Sequence, residues 1–208
     1  MNKAALELYL VTDSLLCRGR DLVDIVLQAV AGGVTMVQLR EKELCTRDFI
    51  AEAKALKSHL APLGIPLIIN DRVDVALASD ADGVHIGQSD MPYADARRLL
   101  GGGKVIGLSV ENFDQIVEAN ALDVDYVGIS PVFATPTKTD TSAPFGLDGL
   151  EEAVRISVHP TVAIGGMNLS TASSVMGRGA DGIAVVSAIM AAEDPRRAAA
   201  ELREALRR

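Results

Sequence analysis

The sequence predicts an α/β protein, a (β/α)8 TIM barrel of parallel strands spanning residues 1–208 as one domain. Three observations predict it. Eight short apolar runs alternate with eight longer stretches whose apolar residues recur every three or four positions, and the chain ends on one of the latter. Each strand-plus-helix unit takes about 25 residues, close to the ~30 of a βαβ crossover, and alternation of this kind calls for a parallel sheet with right-handed connections. Finally, chemically distinctive polar residues gather where the runs end, as a barrel with its chemistry at the carboxyl ends of the strands requires.

The predicted strands cover residues 7–11, 36–40, 66–70, 83–86, 105–109, 126–130, 161–164 and 182–186. The helices between them are written "RDLVDIVLQAVAGG", "RDFIAEAKALKSHL", "RVDVALASD", "PYADARRLL", "NFDQIVEANAL", "LDGLEEAVRIS" and "LSTASSVMGRG", and "DPRRAAAELREALRR" closes the chain. Gly32-Gly33 and the glycines at 101–103 follow helices and read as C-caps. Loops leading into strands, such as "AGGVT", "DAD", "DVD" and "GAD", hold turn and capping residues. An open doubly wound sheet would show the same alternation, but no strand candidate leads into a GxGxxG fingerprint.

Composition narrows the function. Apolar residues make up 49% of the 208, enough for a sizeable core, and with 3% aromatics and no Trp that core is expected to be Ala, Val, Leu and Ile. A net charge of −8 argues against nucleic acid and anionic membranes as partners. An anionic ligand would need local cations and backbone amides. Cys17 and Cys45 lie outside any CxxC or Cys/His cluster and read as reduced thiols of a cytoplasmic protein. No stretch resembles a signal peptide or a membrane span. Homo-oligomer formation is left open.

Candidate site residues follow strand by strand. Gln38, Arg40 and Lys42 alternate along the end of the second strand, so all three are expected on one face, and the two cations suit a pyrophosphate. Asn70 and Asp71 end the third strand and Asp90 follows the fourth. Each aspartate alone reads as a helix cap. As a pair on neighbouring strands without His or Cys, they suit a hard divalent cation, Mg2+ shared with a phosphate. Gly165-Gly166 after strand seven and Val186-Ser187 after strand eight fall where barrels often bind phosphate. Ser109 has no histidine within motif distance, so a Ser/His/Asp triad is not expected. His59 and His159 read as surface residues and His85 as a packed one. The strand-six loop, "SPVFATPTKTD", is long and hydroxyl-rich. Two phosphate regions, a metal pair and no nucleophile suit displacement of pyrophosphate by a phosphorylated acceptor.

Taken together, "YLVTD", "QLREK", "IIND", "DGVHIGQSDMP", "GLSVEN", "DYVGISPVFATPTKTD", "AIGGMN" and "GADGIAVVSAI" resemble the thiamine-phosphate synthase (thiamine-phosphate pyrophosphorylase) family, in its order and over nearly the whole chain. The resemblance implies a Mg2+-dependent transferase. It joins 4-amino-2-methyl-5-hydroxymethylpyrimidine diphosphate to 4-methyl-5-(2-hydroxyethyl)thiazole phosphate, or a carboxylated form of it. It also implies that Gln38, Arg40, Lys42, Asn70, Ser109 and Lys138 hold the pyrimidine diphosphate and that Asp71 and Asp90 bind Mg2+. Thr135, Thr137, Gly166, Val186 and Ser187 would hold the thiazole phosphate, and Lys138, Arg40, Lys42 and Ser109 would serve catalysis. Where the family often has Gly-Pro, this chain has Ser130-Pro131. The related thiazole tautomerases carry a histidine in that loop, where Pro131 stands here; they and a non-catalytic phosphate-binding barrel are the alternatives.

Overall fold

The computed structural model describes residues 2–134 and 143–207. Its eight strands close into an all-parallel barrel in sequence order. The strands are β1 (Leu8–Val11), β2 (Met36–Leu39), β3 (Leu67–Asn70), β4 (Gly83–Ile86), β5 (Val105–Val110), β6 (Tyr126–Ile129), β7 (Thr161–Ile164) and β8 (Gly182–Val185). The helices α1 (Leu22–Ala31), α2 (Thr46–Leu60), α3 (Val73–Ser79), α4 (Tyr93–Leu100), α5 (Phe113–Ala119), α6 (Gly146–Ile156) and α7 (Leu169–Met176) fill the crossovers. After β8 comes a short α8 (Ser187–Met190), and then α9 (Pro195–Ala205). The expected alternation is therefore corrected at its end, since one extra helix turn separates the last strand from the terminal helix.

Local chemistry explains the helix ends. Asp21, Asn112 and Asp194 accept the amides of Asp24, Gln115 and Arg197, each at 2.9 Å, and so cap α1, α5 and α9. Asn168 and Thr171 form a capping box on α7. Gly32 and Gly101 end α1 and α4. In α2 the buried residues Phe49, Ala53, Leu56 and Leu60 recur with helical spacing, leaving Lys57 and His59 in the last turn. Burial of each large side chain in such a stripe contributes about 1.5–3 kcal/mol.

Strand alternation splits the core. Val84 and Ile86 of β4 join the aliphatic layer beneath the helices, whereas Tyr9, Met36, Ile68, Tyr126 and Val162 pack inside the barrel. The outer layer is aliphatic as expected apart from Cys17, Phe49, Met167 and Met190. Inside the barrel the expectation is corrected: Tyr9 and Tyr126 are among the largest fully buried side chains.

At the amino ends of the strands a repeated latch appears. Thr35, Asp82, Asp125 and Asp181 each precede an even-numbered strand, and each side chain accepts an amide from the strand before: Leu8, Leu67, Ile106 and Thr161, at 2.8–2.9 Å. The backbone amide of each latch residue returns a bond to the carbonyl of that same partner, at 2.9–3.0 Å. Lys57, Arg97 and Lys3 pair with the three aspartates. These loops do stabilising work, as the sequence suggests for the amino-terminal face of a barrel.

Candidate active site at the carboxyl mouth of the barrel

A cavity of about 920 Å3 opens at the carboxyl ends of the strands. Gln38, Arg40, Lys42, Asn70, Asp71, Asp90, Ser109, Gly166, Val186 and Ser187 all line it, although they come from six different strand ends. Thr135, Thr137 and Lys138 lie outside the described residues. Arg40 and Lys42 fall beyond the end of β2, not within it, yet both still face the cavity with Gln38. Thr12 Oγ1 accepts the Arg40 amide at 3.0 Å, and the Asp13 carboxylate stands 3.7 Å from the guanidinium. That combination holds a cation at the rim with its direction set.

The two aspartates do not cap helices. Asp71 takes φ 62 and donates its amide to the His85 carbonyl at 2.8 Å, while α3 starts after Arg72 with no side-chain cap. Its carboxylate receives the Lys42 ammonium at 3.0 Å. Asp90 accepts the Gly87 amide at 2.7 Å, which closes the turn after β4, and α4 has no side-chain cap either. Burial pushes the Asp90 carboxyl up. A hydrogen bond with the Asp71 carboxylate and that group's charge push it the same way, against the Gly87 amide and the Lys42 ammonium. Two carboxyl groups thus meet beside one ammonium, a donor set of oxygen alone.

On the opposite side, Gly165 and Gly166 both have positive φ, 95° and 71°. A Cβ on either would overlap Pro131 or Phe133, so the turn after β7 needs glycine both for its backbone and for the close approach of the segment after β6. Val186 caps α8, and Ser187 begins it. Arg20 grips the far end of this helix, donating to the Ala192 carbonyl at 2.6 Å and the Met190 carbonyl at 2.5 Å.

Several cavity residues escape a reading of the sequence. His85 lines the cavity, and its Nε2 lies 2.8 Å from Ser109 Oγ, so the fold supplies the neighbour that motif spacing denies to Ser109. Its signal was the alternation in "GVHIG", which puts His85 on the face opposite Val84 and Ile86. Gln88 donates to the Ser109 carbonyl at 2.6 Å, and Asn168 and Thr171 line the side near Gly166; these have no signal beyond following a strand. His59 is exposed, as expected, and His159 is half-buried with Nε2 3.0 Å from the Ala119 carbonyl.

Next to the arginine rim, Glu41 and Glu52 each bury a carboxylate oxygen that has no hydrogen-bond partner among the described residues. Burial pushes the Glu52 carboxyl up from 4.5 to about 7, and the Glu41 and Asp21 carboxylates add to the shift. As pH rises from about 4.5 to 7, the unfolded chain releases this proton while the folded chain keeps it, so stability falls across that window. Glu52→Gln is therefore expected to be more stable than the parent at pH 8, by on the order of 1 kcal/mol after allowance for solvent screening, and equal to it near pH 4. Urea unfolding at both pH values checks this; an equal loss of stability at both would contradict it.

Comparison with known proteins points to one family. The family model described as thiamine monophosphate synthase matches residues 8–189. A thiamine-phosphate synthase of Albidiferax ferrireducens is 59% identical over 200 residues, 96% of this chain and 91% of that protein. One from Chloroflexus aurantiacus is 54% identical over 198 residues, 95% of this chain and 91% of that one. The solved structure of a thiamine phosphate pyrophosphorylase from Pyrococcus furiosus superposes with a TM-score of 0.90 at 39% identity, covering 99% of this chain and 97% of the other.

Proposed function

We propose, since the chain belongs to the thiamine monophosphate synthase family, that it condenses 4-amino-2-methyl-5-hydroxymethylpyrimidine diphosphate with 4-methyl-5-(2-hydroxyethyl)thiazole phosphate, or its carboxylated precursor. The products are thiamine phosphate and pyrophosphate. The observation that carries this reading is the convergence of ten residues from separate strand ends on one cavity, with cations and carboxylates on one side and a glycine turn on the other.

Asp71 and Asp90 fit Mg2+. They offer oxygen donors in mutual contact, and among the described residues no group of three or more His, Cys, Asp or Glu side chains is arranged for a metal. A two-carboxylate site suits an ion that takes its other ligands from phosphate and water. When bound, Mg2+ would offset the charge of the diphosphate. Arg40 and Lys42 would hold that diphosphate, with Gln38 and Asn70 orienting the pyrimidine. Gly166, Val186 and Ser187, with Thr135 and Thr137, would hold the thiazole phosphate.

In the reaction, the bond from the exocyclic methylene carbon to the diphosphate oxygen breaks, and the electron pair leaves with pyrophosphate. The pyrimidine's amino group supports the methylene cation, and the thiazole nitrogen donates its lone pair to form the new C–N bond. No enzyme nucleophile is needed. Catalysis would come from positioning both partners and stabilising the leaving group.

The test is direct. Purified protein is mixed with both substrates and Mg2+, and thiamine phosphate is read by thiochrome fluorescence, with controls lacking metal or either substrate. Product that requires all three supports the reading. Folded protein that makes none would overturn it and turn attention to thiazole isomerisation or to binding alone.

A further inference from the structure

Five polar side chains form an unbroken line through the barrel. Gln38 Nε2 donates to Tyr9 Oη at 2.7 Å, and Tyr9 Oη lies 2.9 Å from Tyr126 Oη. Tyr126 Oη lies 2.9 Å from His85 Nδ1, and His85 Nε2 lies 2.8 Å from Ser109 Oγ. The line crosses β2, β1, β6, β4 and β5. Its two ends, Gln38 and Ser109, open on the cavity, as does His85, whereas the two tyrosines are fully buried and do not reach it.

We propose that this line is a one-way hydrogen-bond relay that fixes the proton on His85 Nε2 and presents Ser109 to the substrate as a donor and Gln38 Oε1 as an acceptor, with Tyr9 and Tyr126 as positioning residues. The inference rests on the reading that Gln38 and Ser109 hold the pyrimidine diphosphate.

Counting protons gives the direction. An amide nitrogen only donates, so Tyr9 accepts from Gln38 and its single proton goes to Tyr126. Tyr126 then has one proton to give, and His85 Nδ1 takes it. A neutral His85 accepting at Nδ1 carries its proton on Nε2 and gives it to Ser109. Ser109 has now accepted at this contact, and its own proton is directed elsewhere than His85. Burial pushes both phenols up, which keeps them protonated and the chain of donors intact.

Two consequences follow for the chemistry. A histidine that donates to a serine does not deprotonate it, so the Ser109–His85 pair is not a nucleophile and its base. The two ends also carry opposite polarity. Gln38 Oε1 suits the amino group of an aminopyrimidine, and the Ser109 hydroxyl suits an anionic oxygen of its diphosphate.

The barrel interior is cut to hold the relay. A Cβ at Gly107 would overlap the Tyr126 ring, and one at Gly128 would crowd His85 Cε1 at 3.2 Å and Ile164 Cδ1 at 2.6 Å. The Tyr9 and Tyr126 rings meet edge to face, with centroids 6.0 Å apart.

The test combines a spectrum with kinetics. Long-range 1H–15N spectra of the unliganded protein, with His85 assigned by loss of its signals in His85→Gln, are expected to show pyridine-like Nδ1 and protonated Nε2. In Tyr126→Phe, which removes only the hydroxyl, that preference is expected to weaken. Turnover of Tyr126→Phe and of Tyr9→Phe is expected to fall on the order of 10-fold in kcat, as when an outer partner orienting a functional group is lost, with the KM for thiazole phosphate unchanged. A proton found on Nδ1 in the parent protein, or Phe variants with parental kcat, would overturn the relay. Should Tyr126→Phe not fold, the parental spectrum and Tyr9→Phe decide alone. Should the parent make no thiamine phosphate, the proposed function fails, and the spectrum still judges the relay.

Discussion

Asp71→Ala is expected to lower Mg2+-dependent formation of thiamine phosphate by ~10²–10³-fold, the scale on which loss of one preorganised charge-stabilising group is felt. One carboxylate there meets both the Lys42 ammonium and the Asp90 carboxyl. Removing it leaves a single carboxylate for a metal and frees Lys42 from its tether. The backbone complicates the variant, because Asp71 stands at φ 62, where alanine is strained by ~1–2 kcal/mol and asparagine is tolerated. Asp71→Asn therefore keeps the backbone and removes the charge. Initial rates over a range of Mg2+ concentrations, with melting curves for both variants, distinguish the effects. A folded Asp71→Asn protein with a parental rate and parental Mg2+ dependence would show that the carboxylate is no metal ligand.

Lys138→Ala should cost a similar ~10²–10³-fold in turnover. The argument is one of charge. Of the cations that face the cavity among the described residues, Arg40 stands near Asp13 and Lys42 is bonded to Asp71, so both are already offset by carboxylates. A departing pyrophosphate needs positive charge that is not, and under the proposed function Lys138 of "TPTK" would supply it. Single-turnover rates would show the loss in the chemical step with substrate binding largely kept. A near-parental rate would remove Lys138 from the mechanism.

What the sequence made legible was local. Apolar runs marked all eight strands to within a residue at every end, because a parallel strand buried on both faces writes itself as a mostly apolar word. Loop chemistry separated the two faces of the barrel for a similar reason: capping and turn residues act on their near neighbours. The rest depends on distance along the chain. Tyr9 and Tyr126 meet across 117 positions and His85 and Ser109 across 24, and no spacing rule reaches that far. Helix α8 was missed because four residues are too few to show a helical period. Asp71 and Asp90 each read as a cap alone and as a cation pair together, and only the closed barrel shows that neither caps its helix and that the two carboxyl groups meet.

The latches at the amino ends have a consequence for how the barrel is divided. Thr35, Asp82, Asp125 and Asp181 join β1 to β2, β3 to β4, β5 to β6 and β7 to β8, and each bond pair stays within its couple. Below the cavity, the closed ring is thus four clasped quarters, and its seams fall between an even strand and the odd strand that follows. Opening the chain at a seam severs no clasp, whereas opening it within a quarter severs one and strands an amide at the barrel's base. Relay residues ignore these boundaries, since Tyr9 and Gln38 belong to the first quarter, His85 to the second, and Ser109 and Tyr126 to the third. The base of the molecule is modular, and its reactive end is assembled only when the quarters close on one another.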